Sequence, residues 1–451
     1  MSALPQAAPP AMPSTPPSVS TPTVPLSGIK AGVRYGGLAF ALAFLSLPLY
    51  VHLPDHYAHV HGLSLTLLGL VLLGTRVLDA VLDPFIGQAV DAAFARSTGT
   101  AWLVAAVAAL GVGSGFALLF NLPVGTAHLL PWLVFAMLLT YIALSVLTVV
   151  HQAWGVRLGG DAQQRSRVVA WREGCGLVGV LVASVLPSAV GLPATSAVLV
   201  VALALGLALL AQAPRAVAVK VAVAGAVSAG VAAAGAARGH WALPWQVPGF
   251  RRLVTVFLFN GIASAVPATL VLFFVRDRLQ LDQFQALFLG AYFACAIAAV
   301  PLWVMLVRRW GLARAWLAGM VLAVAAFIFV LALGAGDLLG FLAVCMVSGA
   351  ALGADLTIPG AMLAGVVQRA GHGRRGDGVY VGWWNSATKL NLGLAAGLAL
   401  PLLALAGYAP GQRDAQALQA LTWAYVVVPT VLKLVAAGLL WRYWIQHGEN
   451  A

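Results

Sequence analysis

Long apolar stretches recur from residue 33 to residue 445 with short polar breaks between them. Each is long enough to cross a hydrocarbon core as a helix. The spans lie near 33–53, 66–90, 101–121, 128–151, 168–190 and 194–212, then near 251–275, 284–307, 315–335, 338–367, 380–406 and 418–445. The runs are apolar throughout, whereas the strands of a membrane barrel alternate apolar and polar positions, so the pattern predicts helices and excludes a barrel. Composition agrees: 61% of the residues are hydrophobic and only 8% charged, which no soluble domain of this length tolerates. The expected fold class is an all-α integral membrane protein with about twelve transmembrane helices in two six-helix halves.

The polar breaks set the organisation. Residues 1–27 are rich in Pro, Ser, Thr and Ala with no charge, and are expected to form a disordered cytoplasmic tail instead of a signal peptide. A six-helix bundle is expected over 28–212, an Ala/Gly/Val-rich cytoplasmic linker over 213–249, and a second six-helix bundle over 250–446. This 6+6 layout is the plan of the major facilitator superfamily, whose site lies near the midplane between the halves. The net charge of +12 first suggests nucleic acid, but the basic residues fall mostly in alternate loops. Arg96, Arg157, Arg308, Arg309, Arg314 and Arg369 lie on one side, and only Arg276, Arg278 and Arg413 on the other. That asymmetry places both termini in the cytoplasm and the chain in the inner (plasma) membrane, with the lipid bilayer as partner and no nucleic acid.

One span breaks the apolar rule. Arg76, Asp79 and Asp83 sit inside it at spacings i, i+3 and i+7, on one helical face. A charge at the bilayer centre costs about 2.5–3.5 kcal/mol on insertion scales, so such residues mark an ion or substrate path. One Arg against two Asp leaves one negative charge, which a proton or small cation completes.

The string T-R-V-L-D-A-V-L-D-P-F-I-G (Thr75–Gly87) resembles the second helix of the glycoside–pentoside–hexuronide:cation symporters, a family of that superfamily. The resemblance implies that Asp79 and Asp83 hold the coupling cation and that Arg76 balances them. Trp171-Arg172-Glu173 is similar to the stretch carrying the family's substrate-binding Arg on helix five, a role that passes to Arg172. Gly353–Gln368 resembles the tenth helix, and Gly378–Leu403 the eleventh, whose membrane-embedded Lys matches Lys389. Trp384 and Asn385, less than two turns before Lys389, are candidates to line the same cavity. The implied activity is secondary transport of a small organic solute, such as a sugar or sugar acid, by alternating access. No cofactor is implied beyond the coupling ion, H⁺ or Na⁺.

Departures from the family sharpen the expectation. Its carboxylates on helices one and four fall near Ala43 and Val150, and polar positions beside the coupling site fall at Leu82 and Leu147. Hard cations want several oxygens, whereas a proton needs one carboxylate, so H⁺ is favoured over Na⁺. A cavity with Arg172 and Lys389 but without those carboxylates is expected to be net positive and to favour an anionic solute. Asp355 is the residue that can neutralise Lys389. Glu173 is expected to point away from Arg172.

The remaining polar residues read more plainly. Cys175, Cys295 and Cys345 lie in apolar segments without metal-ligand spacing. His52, His56, His59 and His61 cluster with Asp55 in what reads as a wet outer loop, and no metal site is expected there. Trp154 and Trp171 read as interface anchors. Asp91, four residues after Gly87, echoes a gating motif between helices two and three. No nucleophile–base pair, phosphate loop or nucleotide motif occurs, so no enzyme is expected, and the chain is expected to act as a monomer with a small-molecule solute and a cation as partners. The alternatives are a carrier of amphiphiles or lipids, favoured by the lost polar positions, and a non-transporting sensor or assembly protein on the same fold.

Overall fold

The computed structural model of the chain describes residues 28–121, 128–158, 162–214, 243–370 and 377–446. The expected tail, 1–27, and most of the expected linker, 215–242, lie outside the described residues. Twelve helices are long and apolar enough to cross a membrane. They are α1 (Gly28–His59), α2 (Leu65–Arg96), α3 (Thr98–Phe120), α4 (Leu129–Arg157), α5 (Ala162–Val190), α6 (Leu192–Ala211), α7 (Pro248–Arg278), α8 (Asp282–Trp310), α9 (Leu312–Val330), α10 (Leu338–Arg369), α11 (Asp377–Leu405) and α12 (Ala415–Ile445). No strand occurs among the described residues. Every apolar run read from the sequence corresponds to one of these helices.

The caps follow from local chemistry. Ser64 and Ser97 each accept a backbone N–H of the first turn of α2 and α3, and Asp414 does the same for α12. Gly191 (φ 84°) and Gly311 (φ 78°) make the single-residue turns from α5 to α6 and from α8 to α9, a left-handed conformation that a Cβ disfavours. A short helix, Leu243–Gln246, precedes α7 within the stretch expected to be linker.

One expectation fails at the end of α1. The histidine-rich stretch is not a loop. The helix continues through a π-helical turn, Pro48–His52, into the α-helical Leu53–His59. His52 and Asp55 are buried there. Pro54 lies within this continuous helix, where bonding changes from π- to α-helical, and removes one backbone donor there.

The end of the bundle bearing Arg96, Arg157, Arg308, Arg309 and Arg369 is here termed the basic end, and the opposite one the far end. The buried apolar core divides along this axis. One cluster joins the first six helices to far-end residues of the second six, including Leu270, Phe274, Phe341, Leu400 and Tyr425. The other cluster, including Phe250, Trp316, Met362, Tyr380 and Trp444, belongs to the second half alone and lies at the basic end. The halves are therefore packed together at the far end. Helices α2 and α11 carry much of that contact. A Cβ on Gly397 of α11 would lie 2.7 Å from the Cβ of Leu73, so the missing side chain is what lets the two helices approach.

Candidate functional site

The close approach of α2 and α11 sets the site. Asp79 is buried at 1% exposure and Asp83 is part-buried, both on α2 and facing α11. Lys389 reaches across from α11. Its Nζ lies 2.6 Å from Asp83 Oδ1, 3.1 Å from Asp79 Oδ2 and 2.8 Å from Ser145 Oγ. Ser145, on α4, donates its own proton to Asp79 Oδ1 at 2.6 Å. The ammonium thus sits in a cup of three oxygens drawn from two helices of the first half.

Arg76 closes the other side. Its Nη1 is 3.6 Å from Asp79 Oδ2, and its guanidinium lies 3.8 Å from the ring centre of Tyr141 and 4.9 Å from that of Tyr50. Aromatic faces stabilise a cation that is removed from water. The helical spacing read from the sequence is what places Arg76, Asp79 and Asp83 on one side of α2. Two cations and two carboxylates cancel, so the cluster is neutral as it stands.

That neutrality corrects the expected positive cavity. Lys389 is not left without carboxylates, and the partners are those of α2, not Asp355. Arg172 is not brought to Lys389. Its guanidinium pairs with Glu173 at 2.7 Å, so Glu173 does not point away. Trp384 stacks on Phe257 with ring centres 3.9 Å apart, and Asn385 is exposed. Nothing in these contacts assembles Arg172, Lys389, Trp384 and Asn385 into one pocket.

Asp91 lies at the basic end and pairs with Arg157 of α4 at 2.8 Å, while the guanidinium also covers Phe94. Trp154 is buried and donates to the carbonyl of Pro214 at 3.0 Å, so it braces the first half instead of anchoring at an interface. Trp171 packs against Gly32 and Gly36 of α1, between helices. The far end carries a bridge between halves. Arg276 of α7 lies 2.7 Å from Asp55 of α1, and also contacts Asp282, while His59 approaches Asp55 at 3.0 Å. No group of three or more His, Cys, Asp or Glu among the described residues is arranged to hold a metal. The three cysteines are free: Cys345 is buried, whereas Cys175 and Cys295 are only part-buried.

The sequence reading missed a second ionic group. Lys433 of α12 pairs with Asp355 of α10 at 3.0 Å. Asp355 also accepts from Asn260 and Ser264 of α7 and from the Trp316 indole of α9. Lys433 stands alone in an apolar span, and the insertion-cost argument that singled out Arg76 applies to it equally. Ser145 carried no comparable signal, because a lone Ser in an apolar helix most often bonds its own backbone.

Comparison with known proteins bears on this geometry. The sequence profile of the MFS/sugar transport protein family matches residues 32–447. Among curated proteins none matches in sequence. The fold is similar to that of the nucleoside transporter NupG, with a TM-score of 0.65 at 12% identity over 92% of this chain and 100% of the other. It is similar also to a D-xylose-proton symporter, at 0.63 and 16% identity over 92% and 97%. A peptide transporter of the POT family solved with sulfate gives 0.61 and 13% over 92% and 97%. At these identities the likeness concerns the fold.

Proposed function

This chain belongs to the MFS/sugar transport protein family, and on that premise we propose that it is a proton-coupled symporter of a small organic solute. The family makes it a multi-pass secondary transporter; the coupling ion and the solute are the proposal. The observation that carries it is the seat of Lys389 on Asp79, Asp83 and Ser145. The carboxylates belong to the first half and the ammonium to the second, so these bonds tie the halves together at mid-span. Protonation of Asp83 removes its attraction for Lys389. It leaves the cluster with one excess positive charge, and loosens α2 from α11. A ligand or ion that binds one arrangement of the halves better than the other shifts their equilibrium by that difference. Asp55 with Arg276 is assigned as the gate contact between the halves at the far end, and Asp91, paired with Arg157 inside the first half, as a gating residue at the basic end.

A proton is favoured over Na⁺ because Lys389 already occupies the oxygens a metal ion would need, and because Leu82 and Leu147 add none. Ser145 is the one further oxygen. The excess of basic loops at one end supports a cytoplasmic location for that end and both termini. The charge argument for a sugar acid lapses, since Arg172 and Lys389 both have carboxylate partners.

The test is uptake by vesicles that contain the protein, with labelled sugars and sugar acids, under an imposed proton gradient or an imposed sodium gradient. Accumulation that collapses with a protonophore and ignores Na⁺ is expected. A saturable Na⁺ dependence at fixed pH would assign the other ion, and accumulation that follows neither gradient would remove the coupling assignment.

A further inference from the structure

The Asp355–Lys433 pair is not used by the coupling site, yet it borders a cavity of ≈ 80 Å³. The walls come from α1, α7, α8, α9, α10 and α12. They are mostly apolar, with Val51, Val271, Phe288, Phe293 and Phe327 among them. Since roughly 10–15 Å³ is enough for one water, the space holds at least several water-sized groups.

The hydrogen-bond count at the polar end is uneven. A carboxylate offers about four acceptor sites. Asp355 fills them with Asn260, Trp316, Ser264 and Lys433. An ammonium has three N–H donors. Lys433 directs one to Asp355 and one to Ser264, which leaves one for a further acceptor. An anion at that position would meet the neighbouring Asp355 carboxylate as well as Lys433. Besides the ion pair the walls carry Ser264, Ser348, Tyr292 and Tyr425, but Ser264 is taken by Asp355 and Lys433 and Ser348 by the carbonyl of Val344, which leaves few polar groups for a polyhydroxylated ring.

We propose that this cavity binds a small neutral molecule with a compact apolar body and a single carbonyl or hydroxyl acceptor, which takes the third N–H of Lys433. The remaining donors hold Asp355 in place, so Asn260, Ser264 and Trp316 act as positioning residues for the lysine. The inference deepens the transport reading by naming a solute class for a site that this reading leaves open, but the binding itself does not depend on transport.

Cyclohexanone is a probe of fitting size, followed by saturation-transfer NMR on the full chain in lipid nanodiscs, with protein-free nanodiscs as the reference. Saturable transfer is expected above the reference, with no competition from glucose or cyclohexanecarboxylate. Ala268 lines the cavity, and Ala268→Phe should abolish the signal by filling the space. The paired variant Asp355→Asn/Lys433→Gln avoids a stranded buried charge. It should weaken binding about tenfold, as the loss of one hydrogen bond to a charged donor does. Thermal unfolding checks that each variant is folded. Probe binding is read at equilibrium with no ion gradient imposed, so a failure of proton coupling leaves this result intact. No saturable signal in the parent, an undiminished signal in folded Ala268→Phe, or displacement by glucose would overturn the proposal.

Discussion

Asp79 and Asp83 sit a single turn apart on the same helix, yet their environments differ enough to give them separable roles. Asp79 is buried at 1% exposure and bonded to Ser145, Arg76 and Lys389, whereas the Asp83 side chain keeps 23% exposure. Asp83→Asn is therefore expected to fold, to lose uphill accumulation, and to keep exchange of solute across the membrane. Asp79→Asn strands more buried charge, and removal of one partner of a buried pair costs about 3–5 kcal/mol, so it should also unfold at clearly lower temperature. Uptake and exchange assays beside thermal unfolding separate the two. A cycle at the second pair follows the same physics. Lys433→Gln alone should destabilise by about 3–5 kcal/mol and Asp355→Asn/Lys433→Gln by much less. The residue types of the coupling cluster were legible in the sequence because charges in an apolar span are costly and helical spacing fixes their face. Their partners were not. Which of Asp79, Asp83 or Asp355 meets Lys389 depends on how helices far apart in sequence pack, and no local pattern encodes that.

Helices α2 and α11 show what the pattern of apolar residues does and does not determine. The apolar runs placed both spans, and Gly393 and Gly397 stood in plain view, but an absent side chain gives no sign of what approaches it. Here Gly397 admits Leu73, and Gly393 admits Arg76. Gly397→Leu should force the helices apart, cost about 1–3 kcal/mol in overpacking, and lower uptake by lengthening the Lys389–Asp83 contact. Thermal unfolding and uptake measured on the same preparation test this; normal values for both would contradict the packing account. The far end of α1 was misread for a related reason. Pro54 and four histidines suggest a loop by composition, yet Pro54 stands where the helix changes from π- to α-helical bonding, and burial against the second half keeps the segment helical.

The halves of the molecule are joined by packing and charge contacts at the far end and by the four-charge cluster at mid-span, while the basic-end core of the second half stands by itself. The two-half plan was legible from the spacing of spans and basic loops; the state of closure was not, because two arrangements of one sequence share the same apolar pattern. Arg276→Gln removes the bridge to the buried Asp55, a carboxylate that opening returns to water, and should raise the far-end-open population by about fivefold or more, a gain of about 1 kcal/mol or above. Cys345 lines the cavity of the second half and reports this. With Cys175 and Cys295 replaced by Ala, its labelling by a membrane-impermeant thiol reagent should rise in Arg276→Gln. Unchanged labelling would show that the bridge does not hold the far end. The central claim is that the carboxylates under Lys389 take up the coupling proton, and it can be read without knowing the solute. Infrared difference spectra of the protein in lipid, recorded as pH is lowered, should show a protonated-carboxyl band that Na⁺ does not suppress and that disappears in Asp83→Asn. A band that persists in both Asp83→Asn and Asp79→Asn, or one that Na⁺ abolishes, would contradict the account.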